Sequence, residues 1–239
     1  MRNWKKVLLF VSTVAISLGM AQSSQAATAT LSTDIASAYV WRGVTVSDGL
    51  VLQPSLDVSG LGNFTINAWG NLDLDDDNGS SGDFSEVDLA VTYSVPVDGW
   101  TLDIGLIEYL FPDGSGSTRE ITGQAGLSLS DSLSVGALLA YDIEEIDDIY
   151  ACLSATHEQD VSDALSLALT AKAGYAGDET SANGDAGFAE YDISLAASYA
   201  QSESVSLGAF VALTDSIDDD VLAEQDVDVY GGVSVSVDF

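Results

Sequence analysis

Apolar and polar residues alternate with a period of two through almost the whole chain from residue 28 onward. The alternation is clearest at the end, where one set of positions is apolar or small: Val227, Val229, Gly231, Val233, Val235, Val237 and Phe239. Successive side chains of a β-strand point to opposite faces. The pattern therefore predicts strands with one apolar and one polar face.

The same alternation recurs in twelve segments, each roughly 9–12 residues long, which is the length that a tilted strand needs to cross a bilayer. An even number of strands permits a closed antiparallel barrel. The predicted connections alternate between short turns (60–63, 96–99, 130–132, 158–163, 200–204) and longer, acidic loops (43–49, 73–84, 110–118, 144–148, 176–187, 215–226). We therefore predict an all-β fold, a closed antiparallel transmembrane β-barrel of about twelve strands with periplasmic turns and extracellular loops.

The first segment continues the alternation from Leu31 to Trp41 and is predicted to be one strand. Aromatic residues cluster near the predicted strand ends, as in the interfacial girdles of membrane barrels. They are Tyr39, Trp41, Trp69, Tyr93, Trp100, Tyr109, Phe111, Tyr141, Tyr199 and Phe239. The polar faces carry mostly Ser, Thr, Gly and Ala, which favours a membrane barrel over the alternative of a soluble sandwich or lipocalin-like barrel.

Residues 1–26 are predicted to be a cleaved signal peptide. They combine a basic start within Met1–Lys6, an apolar run over Val7–Met20 and small residues at Ser24 and Ala26. The run is shorter than the ~20 residues of a spanning helix. Cleavage after Ala26 (or, as the alternative, three residues later) leaves residues 27–239 as a single barrel domain, exported to the outer membrane of a Gram-negative cell.

The chain is strongly acidic, with 38 Asp and Glu against 6 Lys and Arg. Beyond the predicted signal peptide, the only basic residues are Arg42, Arg119 and Lys172. Such a surface repels nucleic-acid phosphates, which excludes nucleic acid as a partner. A disordered acidic chain would be poor in apolar residues, whereas this one is 46% hydrophobic.

The segment Ser37–Thr45, with Tyr39-x-x-Arg42-Gly43 at its centre, is followed by Gln53-Pro54-Ser55-Leu56-Asp57. It resembles the opening of the TorF family of porins, outer-membrane proteins of proteobacteria. The resemblance implies a barrel and a channel, and it carries no defined substrate. No cofactor is expected.

The last strand ends in Phe239, with Val233, Val235 and Val237 at alternate positions before it. This ending resembles the signal by which the barrel assembly machinery of the outer membrane recognises its clients. We therefore expect that machinery and outer-membrane lipid as partners.

If the apolar faces contact lipid, the polar faces line the lumen. The predicted lumen or selectivity residues are Arg42, Glu86, Asp88, Asp103, Arg119, Glu120, Asp142, Lys172, Glu190 and Asp192. Charged rings select ions of the opposite sign. The acidic excess therefore predicts a porin-like channel for passive diffusion that prefers cations and small hydrophilic solutes, since twelve strands enclose a narrower bore than larger porins do.

Two alternatives remain. A non-conducting structural or adhesion barrel would present its acidic loops to the medium. A lipid-active enzyme is the weaker alternative, because His157 is the only histidine and nothing marks the nearby Ser154 as activated. No catalytic residue is assigned.

Asp73-x-Asp75-x-Asp77 resembles the start of a calcium loop. The EF-hand pattern requires Gly directly after the third acidic position, where this chain has Asn78. At most, weak divalent-ion binding is expected there.

Overall fold

The computed structural model describes residues 27–75, 81–112, 114–181 and 183–239, and the predicted signal peptide lies outside them. The described residues form fourteen strands: β1 (Thr28–Ala36), β2 (Tyr39–Trp41), β3 (Val44–Ser47), β4 (Val51–Leu61), β5 (Phe64–Asp73), β6 (Phe84–Ser94), β7 (Thr101–Phe111), β8 (Gly116–Ser128), β9 (Leu133–Asp142), β10 (Ile149–Asp160), β11 (Leu165–Ala176), β12 (Gly187–Ala200), β13 (Val205–Ser216) and β14 (Val229–Asp238). Among the described residues, no helix has the length and apolar character that crossing a membrane requires.

Twelve of these strands close into one antiparallel barrel, which confirms the predicted fold class. Each barrel strand pairs with its neighbours in sequence, and β1 closes the ring by pairing with both β4 and β14. The two remaining strands, β2 and β3, pair only with each other. They leave the wall between β1 and β4.

The barrel is apolar outside and polar inside. Leu153 is 63% exposed and Val233 is 56% exposed on the outer face, whereas Asp34 and Glu120 are buried on the inner face. The period-two alternation produces this directly, since Ile35 faces outward beside Leu52 while Asp34 faces inward beside Gln53. An apolar exterior on a closed barrel is the arrangement that lipid requires.

The two rims differ in the length of their connections. One rim, here called the turn rim, carries the connections 62–63, 95–100, 129–132, 161–164 and 201–204. The other, here called the loop rim, carries 37–50, 74–83, 112–115, 143–148, 177–186 and 217–228. The alternation of short and long connections follows the prediction except at 112–115, which was predicted as a longer loop over 110–118 and is as short as the turns of the opposite rim.

The aromatic residues divide between the two faces. Phe64 and Tyr93 contact each other near the turn rim with ring centroids 5.0 Å apart, and Trp100 is exposed beside that rim. The assignment of every strand-end aromatic to a girdle is nevertheless wrong. Tyr39 and Tyr109 are buried inside the barrel, because β2 leaves the wall and because Tyr109 lies at an inward position of β7.

The predicted assembly signal lies on the outer face of β14. Val233, Val235 and Phe239 are exposed there, and Val237 is paired with Leu31 of β1. The backbone amide of Phe239 donates to the carbonyl of Ala29 at 2.9 Å. The end of the chain thus completes the seam that closes the barrel, and its recognition by assembly machinery stays a prediction.

Candidate functional site

The connection between β1 and β4 folds into the bore. This segment, residues 37–50, contains β2 and β3 and is here called the lumen hairpin. The prediction of one strand from Leu31 to Trp41 is therefore wrong, because β1 ends at Ala36 and a bend at Ser37 and Ala38 turns the chain inward. Val40 of the hairpin is buried against Ala212 and Tyr230 of the wall.

The hairpin turns at Arg42 and Gly43, which both have positive φ angles, 51° and 79°. Two consecutive left-handed residues are typical of a tight hairpin turn, and the second is readily glycine. A Cβ added at Gly43 would lie 2.6 Å from Cβ of Glu190 and 2.7 Å from a methyl carbon of Leu222. Glycine therefore lets the tip approach the wall.

The guanidinium of Arg42 makes a two-point ion pair across the bore. Its Nη1 and Nη2 donate to Oε1 and Oε2 of Glu120 on β8 at 2.8 Å and 2.7 Å. The group also lies between two rings, 4.3 Å from the ring centroid of Trp41 and 4.1 Å from that of Tyr150. Planar ion pairing and stacking on aromatic faces both suit arginine rather than lysine.

Three tyrosine hydroxyls make short hydrogen bonds to carboxylates around the hairpin, and a fourth, that of Tyr230, donates to Oδ2 of Asp192 at 3.5 Å. Tyr39 donates to Oε2 of Glu86 at 2.9 Å, and Tyr109 donates to Oε2 of Glu120 at 2.9 Å. The third donor is the hydroxyl of Tyr150, which bonds Oε1 of Glu190. Each bond partly compensates the cost of burying a carboxylate.

Carboxylates form a band on the inner wall around the hairpin, here called the acidic belt: Glu86, Asp88, Glu120, Glu190 and Asp192. Its basic counterparts among the described residues are Arg42 and Lys172, whose Nζ lies 3.7 Å from Oδ1 of Asp192. Within the described chain, Oδ1 of Asp88 and Oε2 of Glu190 have no hydrogen-bond partner. Five carboxyl groups thus face two basic side chains in the belt.

Two further predicted lumen residues also face inward, and each accepts hydrogen bonds from nearby groups of the chain. Asp103 accepts a hydrogen bond from the Ser94 hydroxyl at 2.6 Å. Asp142 accepts one from the Thr118 hydroxyl and three from backbone amides of the connection 143–148. Asp142 therefore shapes a loop at the loop rim.

Arg119 is not in the lumen, which corrects its prediction as a lumen residue. It lies on the outer face of β8, where its Nε donates to Oε2 of Glu108 at 2.5 Å and its Nη2 lies 3.8 Å from Oε2 of Glu144. Its neighbour Glu120 faces inward, and adjacent residues of one strand must point to opposite faces.

A second segment covers the hairpin from the loop rim. The connection 217–228, here called the outer lid, buries Val221 and Leu222 against Ala176, Ala189 and the hairpin residue Val44. The lid is also bonded to the hairpin, since the amide of Thr45 donates to Oε1 of Gln225 at 2.9 Å. Hairpin and lid thus pack together at the loop-rim end of the bore.

A small cavity of about 30 Å³ remains beneath the lid, beside Arg42, Tyr150 and Glu190. It has room for a water molecule or two. Glu190 is one of its lining residues and is only 5% exposed, and its Oε2 has no hydrogen-bond partner among the described residues.

The weak calcium-loop candidates do not form a cluster in the described part of the chain. Asp73 is buried on the inner face and accepts from the amide of Asn71, while Asp75 accepts from the backbone amide of Leu50. Asp77 lies outside the described residues. Groups of three metal-ligating side chains are absent from the residues that the structure describes.

The residues of the weaker enzyme alternative point to different faces of β10. Ser154 pairs with Lys172 at an inward position, whereas His157 pairs with Leu169, which is exposed on the outer face. They do not form a nucleophile and base pair.

The sequence alternation did not reveal the aromatic part of the site. Trp41, Tyr109 and Tyr150 surround the Arg42–Glu120 pair, yet Trp41 and Tyr109 look like strand-end aromatics in the sequence and Tyr150 was not singled out there. The available signal was Gly43, since an isolated glycine inside a strand pattern suggests a bulge or a close approach of the backbone rather than a regular strand.

Comparison with known proteins gives a family match and a set of solved structures that share the fold. A family model described as a bacterial protein of unknown function (Gcw_chp) matches residues 20–215. No protein of curated function matches the chain at a significant level.

Three solved structures illustrate the shared fold. The KdgM porin has a TM-score of 0.59 at 9% identity, covering 88% of this chain and 99% of its own. The NanC porin has a TM-score of 0.58 at 12% identity, covering 87% and 98%. The COG4313 outer membrane channel from Pseudomonas putida F1 has a TM-score of 0.60 at 12% identity, covering 95% and 100%. Identities this low show a common fold alone.

Proposed function

The chain belongs to a bacterial protein family of unknown function, Gcw_chp, and we propose that it is a porin-like outer-membrane channel for passive diffusion of small, preferentially cationic solutes. The family model carries no substrate. The TorF resemblance of the opening segment is not tested by this match and stays a prediction.

The outer membrane is the location that the barrel indicates. Its exterior is apolar around the whole ring of twelve strands, and its fold is that of outer-membrane porins and channels. Lipid on the outside leaves the polar interior as the only path for a hydrophilic solute.

The acidic belt is the observation that carries the proposal. Glu86, Asp88, Glu120, Glu190 and Asp192 face the bore together, against the two cationic side chains Arg42 and Lys172. A constriction with excess negative charge lowers the electrostatic barrier for cations and raises it for anions. The narrow space left by the lumen hairpin favours small solutes.

The charge of the bore argues against assigning to this chain the ligand of one structurally similar porin. A KdgM porin has been solved in complex with disordered oligogalacturonate, an anionic sugar chain. The carboxylates of the acidic belt would repel such a chain. We therefore propose that this barrel shares the fold of that porin and differs in the charge of its solute.

A closed structural barrel is the second candidate, and a specific observation favours it. The lumen hairpin and the outer lid are bonded to the wall and to each other, through Arg42, Thr45 and Gln225. If this closure is permanent, the protein inserts in lipid without conducting. We propose no enzymatic activity in either case.

Planar-bilayer recording of the refolded mature protein under a KCl gradient tests the proposal. Discrete conductance steps with a reversal potential that favours potassium are the expected result. Insertion without conductance supports the closed barrel, and a reversal potential that favours chloride contradicts the role of the acidic belt.

Paired charge substitutions make the test specific. Glu86→Gln with Asp88→Asn removes two carboxylates from the belt and should reduce the potassium preference. Asp131→Asn with Asp163→Asn removes the same charge from exposed turns of the turn rim and serves as the matched control. Equal loss of selectivity in both variants would assign the preference to overall charge instead of the belt.

A further inference from the structure

The guanidinium of Arg42 occupies a site that is built mainly by the barrel wall. Apart from Trp41, the groups that surround it come from wall strands: the Glu120 carboxylate, which the Tyr109 hydroxyl also contacts, and the ring of Tyr150. Arg42 itself is carried by a hairpin that lies outside the wall. The wall would keep this receptor if the hairpin moved away.

The receptor has capacity beyond what Arg42 uses. Oε2 of Glu190 is buried and has no hydrogen-bond partner among the described residues, and Glu190 is one of the residues that line the cavity beside Arg42. Gly174 makes room for this carboxylate, since a Cβ there would lie 1.9 Å from Oε1 of Glu190. A buried, unpartnered carboxylate oxygen is costly, and a cationic donor offsets that cost.

We propose that Arg42 occupies, as an internal stand-in, a binding site for solutes that carry a guanidinium group. This inference rests on the proposed channel and names the class of solute that the channel favours. The planar fork matches the Glu120 carboxylate, the π-face of Tyr150 takes the flat cation, and Glu190 accepts a further N–H.

A guanidinium solute can replace Arg42 because it makes the same contacts with Glu120 and Tyr150. Removing one partner of a buried ion pair leaves an uncompensated charge and costs stability. A guanidinium solute that enters as the hairpin withdraws replaces Arg42 on Glu120 and leaves no carboxylate unpaired. An ammonium of similar charge lacks the two-point geometry and the flat face.

The first test is stabilisation of Arg42→Ala by methylguanidinium, the end of the missing side chain. The full mature chain is refolded in detergent, and its Tm is measured with and without methylguanidinium chloride. At roughly ten times its Kd, the ion should raise the Tm by about 3–6 °C. Methylammonium chloride and urea, the neutral isostere of guanidinium, should not.

Two variants control for unspecific effects. Arg119→Ala removes an arginine from the outer face and leaves no interior receptor, so methylguanidinium should not stabilise it. Arg42→Ala combined with Glu120→Gln removes the anionic partner and should lose the stabilisation. Equal stabilisation of all three variants, or of Arg42→Ala by methylammonium and urea, overturns the site.

The second test uses the wild-type channel and needs no variant to fold. Bi-ionic reversal potentials compare methylguanidinium with the smaller methylammonium. A plain narrow pore passes the smaller ion better, whereas the proposed site gives a methylguanidinium to methylammonium permeability ratio above one that falls below one in Glu120→Gln. A wild-type ratio below one overturns the inference.

The two tests separate the inference from the proposed function. If Arg42→Ala is stabilised specifically but no variant conducts, the guanidinium site stands and the channel fails. If the protein conducts cations in simple order of size and methylguanidinium does not stabilise Arg42→Ala, the channel stands and the inference fails.

Discussion

Arg42, at the tip of the lumen hairpin, is joined to Glu120 of β8 by two parallel hydrogen bonds of 2.8 Å and 2.7 Å across the bore. The side chains of both residues are largely buried, at 13% and 5% exposure. The pair therefore anchors the lumen hairpin to the barrel wall. Its removal should affect both the stability of the barrel and the width of the bore.

Arg42→Ala should destabilise the folded protein by about 3–5 kcal/mol, because it leaves Glu120 buried without its cationic partner. Urea unfolding of the refolded protein in lipid vesicles, followed by tryptophan fluorescence, measures this. Arg119→Ala is the matched control, because its pair with Glu108 lies on the outer face and should contribute little to stability. Similar losses in the two variants would mean that Glu120 is stabilised by other groups.

Gly43→Ala should destabilise the lumen hairpin for two separable reasons. The φ of 79° disfavours any side chain, and the added Cβ would lie 2.6 Å from Cβ of Glu190. Gly62→Ala is the control, since Gly62 has a φ of 69° but nothing within 4 Å of the added Cβ. Left-handed strain of about 1 kcal/mol is expected in both.

The excess loss in Gly43→Ala over Gly62→Ala measures the contact between tip and wall. The same urea titration reports it for both variants. Equal midpoints would show that the tip has room to shift away from Glu190 and Leu222 without a measurable cost.

The fold could be predicted from the sequence because alternation encodes the two faces of a barrel wall directly. Leu31 and Ile35 face outward and Asp34 faces inward as their positions require. The alternation does not indicate where the chain leaves the wall at the end of a strand. The alternation continues through Tyr39 and Trp41, yet these residues leave the wall, because period two specifies faces and not whether a strand keeps its ladder partners.

The charged residues of the site could be predicted only as a set. Glu120 and Glu190 lie inward as expected, but Arg119 and Glu120 are adjacent, and the alternation alone excludes one of them from the lumen. Which carboxylate would pair with Arg42 depends on the distance across the barrel. That distance depends on how far the hairpin reaches into the bore, which no local pattern in the sequence describes.

Acid should release Glu179 and Thr180, in the connection 177–186, from Asp148 in the neighbouring connection 143–148 of the loop rim. Burial opposes the shift, but hydrogen bonds from the backbone amides of Ile149, Thr180 and Glu179 hold the pKa of Asp148 below its ordinary value of 3.8. Oδ2 of Asp148 accepts the Glu179 and Thr180 amides at 2.9 Å and 2.8 Å. A carboxylate with a lowered pKa stabilises the fold above its unfolded pKa and loses that contribution as pH falls through its folded pKa.

Hydrogen exchange of the Glu179 and Thr180 amides measures this tether. Protection should persist from neutral pH to about pH 4 and fall below it, after correction for the intrinsic pH dependence of exchange. Asp148→Ala should remove the protection already at neutral pH. Protection that survives in Asp148→Ala would assign the order of this loop to other contacts.

Replacing the lumen hairpin with a tight turn should widen the bore without disturbing the wall. Ala36 of β1 is directly paired with Val51 of β4, so an Asn-Gly turn can join the two strands in the register that they already have. Loss of the hairpin removes the Arg42–Glu120 bridge and one cation from the acidic belt. Single-channel conductance in a planar bilayer should therefore rise, and the preference for potassium should increase. If conductance stays at the wild-type level while the variant inserts normally, the hairpin does not limit passage. The limit must then lie at the outer lid formed by residues 217–228 or at the turn-rim end of the bore.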